Sequence, residues 1–514
     1  MYLEFDKNHG SSTYRFLLTP KLFVFFYSSS LGCLIPFLPI FFRLNGLSAI
    51  QTGLLLATRY LILFWSAPTL SFLASKTNTR KCILVLAVLF GALANTAFLF
   101  TAKYQGESRP DCAKISGTLN ETLLINSSVH VDQKRHVLDK VNTNNSLHYH
   151  AAHNRSIEQE IFDTVGLKFD KQFLTFLIIV IVGTFVSSPA KPLHELVSFA
   201  IIKEHKASYN VQRLCGVIGW SVMSLVTAAV VFNLPCSFKL SQNVFDLHFG
   251  FHLLFTTTGL IFALMMHVPA RKTATKFKFC RVVKVACKNP NVIVAIVAMA
   301  ILGTAQSAVS TYLFWYVQDL GGNELHMGLI VMASGLAQIP LLFLAKYMVH
   351  WLGHGWMFFL SMFGFSARFM LYTYATQPAT IIPIELIHAL TSSSIWLTST
   401  SLAVLVAPIG FERSMQNLFT ATYYGLGMGV GGVLVSVAYQ LYGPGSVFEF
   451  GSAVCAAYSL VMALLQCLIS PPDENHSFPI NGDYYKAGVG GNNQSDWLLE
   501  ALNAEEEEIQ YSRP

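Results

Sequence analysis

Eight ionisable side chains of this sequence sit inside long apolar runs. Arg59 lies in one run; Lys191, His194 and Glu195 cluster in a second; Arg213 opens a third, ahead of Trp220; Arg368 falls in a fourth, and Glu385 and His388 in a fifth. In mid-bilayer such a group costs about 2.5–3.5 kcal/mol on insertion scales, so each needs a partner or a water-filled cavity. Their types define the chemistry open to them: Arg and Glu pair as ions, Glu and His exchange protons, and all can hydrogen-bond a polar solute. The nine cysteines are scattered singly, without metal-site spacing or a CxxC. No nucleophile, metal or phosphate-binding constellation is present, so neither an enzyme nor a cofactor nor a metal site is expected.

The elements that must hold these groups follow from the apolar runs. Of the 514 residues 53% are hydrophobic and only 12% charged, about half the charged share of a soluble domain. A helix needs about 20 apolar residues to cross a bilayer core of about 30 Å. Twelve stretches qualify: α1 (21–42), α2 (50–74), α3 (82–102), α4 (172–198), α5 (212–232), α6 (249–268), α7 (291–316), α8 (327–349), α9 (356–374), α10 (380–407), α11 (414–440) and α12 (447–469). The fold class is therefore an all-α membrane protein of twelve transmembrane helices. The first nineteen residues carry Asp6, Lys7, His9 and Arg15 and no small-residue cleavage site, so no removable signal peptide is expected.

Orientation comes from the connections. Residues 269–291 hold Arg271, Lys272, Lys276, Lys278, Arg281, Lys284 and Lys288 with no acid, the signature of a cytoplasmic linker. Lys76, Arg80 and Lys81, between α2 and α3, fall on the same side. Both chain ends, 1–20 and 470–514, are then cytosolic; the tail has nine acids against Lys486 and Arg513 and is expected to be disordered. The 103–171 connection falls outside the cytosol and carries acceptor triplets at Asn120, Asn126, Asn144 and Asn154. Cys112 and Cys236 also fall outside, where a disulfide between them can form; two unpaired thiols are the alternative. The expected site is the plasma membrane. The lipid bilayer is the main partner, no nucleic acid is expected, and the chain is expected to be a monomer.

Two six-helix halves, 21–268 and 292–469, show internal similarity. At a constant offset of 275, Leu38, Gly46, Gly53 and Leu54 match Leu313, Gly321, Gly328 and Leu329. At the starts of α5 and α11, Gln212-x-Leu214 recurs as Gln416-x-Leu418. Counting about 1.5 Å per residue from the α9–α10 turn puts Arg368 and Glu385 at similar depth, as an ion pair would require. Glu385 and His388 share a helical face that Thr391, Ser392, Trp396 and Ser399 extend. The alternative is that Arg368 snorkels outward and Glu385 and His388 are wetted near the surface. Small polar residues also gather in α1 (Ser28 to Ser30) and α7 (Thr304, Gln306, Ser307, Ser310 and Thr311); any one of them could serve ordinary helix contacts.

Residues 20–470 resemble the major facilitator superfamily. Pro192-Leu193-His194-Glu195, followed by Arg213-Leu214-Cys215-Gly216-Val217-Ile218-Gly219-Trp220, is similar to the lactose permease pattern, in which the Glu, Arg and Trp hold the sugar. That resemblance implies a solute site at Glu195, Arg213 and Trp220. It also implies a proton or ion relay at Arg368, Glu385 and His388, although Glu385 stands where the permease has Lys and Thr391 where it has the proton-carrying Glu. The permease's α8 carboxylate is missing too, with Gln338 the nearest polar group. The glycosylatable loop and the glycine-rich run Gln416 to Tyr442 look like an animal branch, major facilitator superfamily domain-containing protein 6 and its 6-like relatives. Two functions follow from these resemblances. The first is a secondary active transporter, working by alternating access and proton-coupled, of an unidentified sugar- or nucleoside-like solute. The second is a cell-surface receptor or adaptor on a transporter scaffold, with 103–171 binding an extracellular protein, in line with a family label naming class I histocompatibility antigens.

Overall fold

The structure is a computed structural model and describes residues 11–77, 79–101, 170–204, 209–233, 245–266, 289–407 and 412–468. The four glycosylation triplets, Cys112, Cys236, nearly all of the basic linker and the acidic tail lie outside these residues. Every regular element among the described residues is helical. Ten stretches are long and apolar enough to cross a membrane by length and composition; the last, Ser414–Cys467, holds both α11 and α12. With α9, which carries Arg368, the helices number twelve.

Several helices are built from pieces, and the sequence shows why. α1 runs Ser11–Leu34, passes through a 3₁₀ turn at Ile35–Phe37 and resumes over Leu38–Leu44; Pro36 and Pro39 remove the donors that an unbroken helix needs there. α4 likewise divides into Lys171–Ser187 and Ala190–Glu204 around Pro189. Helices α8 and α9 form one 50-residue run, Glu324–Thr373, that turns at Gly353 (φ 76°, ψ 166°). The run Gly432–Leu468 turns at Gly443 (φ 78°, ψ 176°), where α11 gives way to α12. Those angles lie in a region that only glycine enters without strain.

The halves repeat one another in detail. Gly46 (φ 81°) and Gly321 (φ 82°), 275 residues apart, make the same left-handed turn. Each turn leads to a capping box, Ser48 with Gln51 before α2 (Ala49–Lys76) and Asn323 with His326 before α8. These caps satisfy backbone donors that a helix start leaves open. Within the halves, α1 runs alongside α5 (Tyr209–Asn233), with Gly216 on Val24 and Gly32 on Trp220. In the same way α7 (Pro290–Asp319) runs alongside α11, with Gly303 on Tyr423 and Gly432 on Ser307. Between the halves, α2 crosses α11 antiparallel, Gly53 meeting Ser436 and Gly425 meeting Phe64, and α8 crosses α5, Gly328 meeting Ala228 and Gly335 meeting Ser221. The paired contacts are those of two pseudo-symmetric bundles. Towards lipid the surface is apolar, with Phe100, Ile178, Leu264, Phe450 and Leu464 all exposed.

The two halves are fastened together at the end that carries the Gly46 and Gly321 turns. Arg43 donates to Asp319 Oδ1 at 2.5 Å and to the Trp315 carbonyl at 3.1 Å. Trp315 Nε1 donates back to the Pro39 carbonyl at 2.8 Å, and the Tyr312 hydroxyl to the Ala49 carbonyl at 2.8 Å. Tyr439 stacks on Tyr312 with ring centroids 4.1 Å apart. Gln440 Oε1 accepts from the Ala49 amide at 3.2 Å.

At Gly303 an added side chain would meet the Tyr423 carbonyl and the Gly427 backbone, which have no flexible end to yield. Gly303→Val is expected to cost about 1–3 kcal/mol. Thermal unfolding in detergent checks this, and an unchanged melting temperature would refute the close backbone contact.

Candidate functional site

Polar chemistry collects in two places, a saturated cluster between α9 and α10 and a more open one between the halves. The first depends on an irregular α10. Pro378–Ile384 is α-helical, Glu385–Ile387 is 3₁₀, Ala389–Ser393 is a π segment, and Ser394–Val406 is α-helical again. Pro383 disturbs the ladder at the start, and the π segment widens the helix. The result turns Glu385, His388 and Thr391 toward Arg368 on α9.

Arg368 Nη2 donates to both Glu385 oxygens at 2.7 and 2.6 Å. Its Nη1 donates to His388 Nδ1 at 3.2 Å and Thr391 Oγ1 at 3.3 Å, and Nε to the Tyr372 hydroxyl at 2.6 Å. The Tyr372 hydroxyl in turn donates to Glu385. All five N–H donors of the guanidinium are thereby matched. Both charged partners are buried, Arg368 at 1% exposure and Glu385 at 2%, so neither snorkels to a surface. Because arginine only donates, His388 Nδ1 must be the acceptor and the ring carries its hydrogen on Nε2.

The second place lies where the halves face each other. Tyr60 of α2 stacks on Tyr424 of α11 at 6.0 Å, in the region that α7 also reaches with Ser310. Trp396 of α10 also stacks on Tyr424, at 5.4 Å, and meets Tyr423 edge-on at 5.0 Å. Lys191 Nζ of α4 stands 5.9 Å from the centroid of the Tyr424 ring, a cation–π contact across the halves. Arg59, half-buried, lies within electrostatic reach of Tyr27 and Tyr60, as does Lys191. His194 meets the Tyr27 ring at 5.9 Å. The second π segment, Thr422–Gly431, begins at these tyrosines and supplies the wide turn that presents two adjacent rings.

The residues named from the permease pattern come from α4 and α5. Glu195 is half-buried beside His194, Arg213 is half-buried at the start of α5, and Trp220 lies where the α5 backbone packs on Gly32. No hydrogen bond, ion pair or ring contact joins these three among the described residues. The sequence reading assigned no role to Tyr60, Tyr423 or Tyr424. It also passed over a buried network in α6 (Phe245–Met265): His252 Nδ1 lies 2.9 Å from the Ser30 carbonyl and Nε2 3.2 Å from Asn95, while His248 Nδ1 lies 2.8 Å from the Cys33 carbonyl. The available signal was two histidines four residues apart in an apolar helix. Asn95 stands four residues after Gly91, which packs on Ser187 of α4, as Arg368 stands four after Gly364, which packs on Thr391 of α10. Asn95 thus holds the position in the N-terminal half that Arg368 holds in the C-terminal half, but its partner comes from α6 and not from α4.

Two pseudo-symmetric six-helix bundles with polar groups facing each other between them define a multi-pass membrane protein of the major facilitator fold. The MFS_1 like family matches residues 17–450, and the chain belongs to it. Similar proteins include a major facilitator superfamily domain-containing protein 6-like of Danio rerio, 25% identical over 94% of each chain. The 6-like protein B of Xenopus laevis is 21% identical over 95% of this chain and 97% of its own. Among solved structures, the nucleoside transporter NupG superposes with a TM-score of 0.62 at 11% identity, over 88% of this chain and 98% of its own. The human organic anion transporter MFSD10 (TETRAN) superposes with a TM-score of 0.51 at 12% identity, over 88% of this chain and all of its own. At those identities the likeness is one of fold.

Removing one member of the α9–α10 pair leaves a buried charge without its counterpart. Glu385→Gln and Arg368→Met are each expected to destabilise by about 3–5 kcal/mol, and the double variant by clearly less than their sum. Thermal unfolding of the three variants measures the coupling, and strict additivity would show that the pair does not act as a unit.

Proposed function

We propose that this protein is a secondary active transporter that moves a small polar, ring-bearing solute, sugar- or nucleoside-like, by alternating access. The observation that carries the reading is the cleft between the halves, where Tyr60 and Lys191 from one bundle meet Tyr424 and Trp396 from the other. Rings that stack across a moving interface bind a solute only while the halves enclose it, as alternation requires. Glu195, Arg213 and Trp220 lie on the same N-terminal bundle and would contact solute during the cycle. With the basic linker read as cytoplasmic, both termini are cytosolic and the fastened end at Arg43 and Asp319 faces outward. The structure then stands in a state closed to the outside. The plasma membrane, with the 103–171 loop glycosylated, fits that orientation.

Coupling to protons falls to Arg368, Glu385 and His388. A proton arriving on His388 Nδ1 would have to displace the Arg368 Nη1 donor. That displacement frees the guanidinium to shift on Glu385 and Tyr372, and α9 and α10 move with it. Proton entry and helix movement thus share one hydrogen bond.

Uptake by reconstituted protein, screened over sugars, nucleosides and amino acids with and without an inward proton gradient, tests the reading. Accumulation is expected to require the gradient, and His388→Ala to lose accumulation while keeping exchange. Glu195→Gln and Arg213→Ala are expected to reduce uptake. No accumulation of any solute by the wild type would sink the transporter reading, and gradient-independent accumulation would sink the coupling.

A further inference from the structure

Arg59 stands near the middle of α2 (Ala49–Lys76) and is half-buried. Among the described residues no acid forms an ion pair with it. Tyr27, Tyr60 and His252 lie within electrostatic reach of it, and none of them is a carboxylate. The contrast with Arg368, matched at every donor, is large. A guanidinium in a membrane interior with no anion of its own is incomplete, and its planar fork fits a carboxylate with two parallel hydrogen bonds. Next to it lies an aromatic wall. Tyr60, adjacent in sequence, stacks on Tyr424 at 6.0 Å, Tyr424 stacks on Trp396 at 5.4 Å, and Lys191 adds positive charge 5.9 Å from the Tyr424 centroid. Rings that stack on one another at these separations stack equally on a planar ring of a ligand.

We infer that the cleft between the halves binds a planar-ring organic anion, its carboxylate on Arg59 and its ring against Tyr60, Tyr424 and Trp396. The inference rests on the transporter reading above, keeps its ring-bearing solute and replaces the neutral sugar- or nucleoside-like class with a carboxylate. Arg59 and Tyr27 belong to the N-terminal bundle, whereas Tyr424 and Trp396 belong to the C-terminal bundle. One molecule therefore spans both halves and holds them together while bound. Lys191 puts a second positive charge beside the ring site, 5.9 Å from the Tyr424 centroid. A neutral sugar would leave Arg59 without an anion.

Matched acid and amide pairs separate charge from shape: nicotinate with nicotinamide, 4-hydroxybenzoate with 4-hydroxybenzamide, and indole-3-acetate with indole-3-acetamide. Binding to the full-length protein is read from ligand-induced thermal stabilisation, and transport from uptake into proteoliposomes. At least one acid is expected to bind roughly tenfold or more tightly than its amide. Arg59→Gln should abolish that preference, Arg59→Lys should retain part of it, and Tyr424→Leu should weaken acid and amide alike. Should Arg59→Gln fail to fold, the acid-to-amide ratio of the wild type and of Arg59→Lys still decides. Equal binding of acid and amide, or an acid preference that survives in Arg59→Gln, overturns the inference. Transport of a neutral sugar or nucleoside with none of the acids bound overturns it while the transporter reading stands. Transport of no solute at all overturns both.

Discussion

Two glycines let the backbones of α7 and α11 touch at Gly303 and Gly427, and much of the cleft follows from that approach. Between helices in lipid there is no hydrophobic gain to draw on, because acyl chains are as apolar as leucine. Association instead falls to close backbone contact and to hydrogen bonds such as Thr304 to the Gly427 carbonyl at 3.3 Å. The wide-turned segment Thr422–Gly431 lies along that contact. A regular α-helix would rotate neighbouring side chains about 100° apart at each step. The π segment alters that rotation where Tyr423 and Tyr424 both meet Trp396. The packing that holds the C-terminal bundle together is thus the packing that presents its rings to the other half.

Two arginines in one membrane show how differently a buried charge can be handled. Arg368 is locked by Glu385, Tyr372, His388 and Thr391, all from its own bundle. Its charge is neutralised locally, and moving it requires several hydrogen bonds to rearrange together. Arg59 has phenols and an imidazole instead. Such neighbours orient a guanidinium without cancelling its charge, which leaves its electrostatic demand to be met by something else. The pseudo-symmetry sharpens the difference: the position corresponding to Arg368 holds Asn95, and the network there, through His252 and Ser30, is uncharged as an amide–imidazole–hydroxyl chain. Each bundle therefore has a polar cluster at a corresponding depth, and only one of the two contains an ion pair.

Much of the fold was written in short-range patterns. The apolar runs marked the helices, and the 275-residue offset found Gly46 and Gly321, whose φ angles are 81° and 82°. The depth count brought Arg368 and Glu385 together because the two helices are neighbours joined by a short turn. What escaped was non-local or depended on helix irregularity. An aromatic residue in an apolar helix reads as packing until the opposing half supplies a partner, as Tyr424 does for Tyr60. The π segments of α10 and α11 leave no simple periodic trace, since glycine and serine there are equally at home in a regular helix packed in lipid. That no hydrogen bond, ion pair or ring contact joins Glu195, Arg213 and Trp220 among the described residues is equally a matter of relative helix placement, which motif spacing along the chain does not determine.

The fastening at the Gly46 and Gly321 turns has the strength that a reversible closure needs. Its ion pair is partly solvated, Arg43 and Asp319 being 32% and 39% exposed, and such pairs contribute about 0–1 kcal/mol. The hydrogen bonds from Trp315 to Pro39 and from Tyr312 to Ala49 link neutral groups across the halves, each worth about 0.5–1.5 kcal/mol net. Stacking of Tyr312 on Tyr439 lies between helices of a single bundle, so it shapes the fastening without being broken when the halves part. Set against this, the Arg368 cluster is dry, saturated and confined to one bundle. Closure between halves is built from interactions worth a few kcal/mol together, which solute and proton binding can outweigh. The interactions that must survive every cycle are the buried ones inside each bundle.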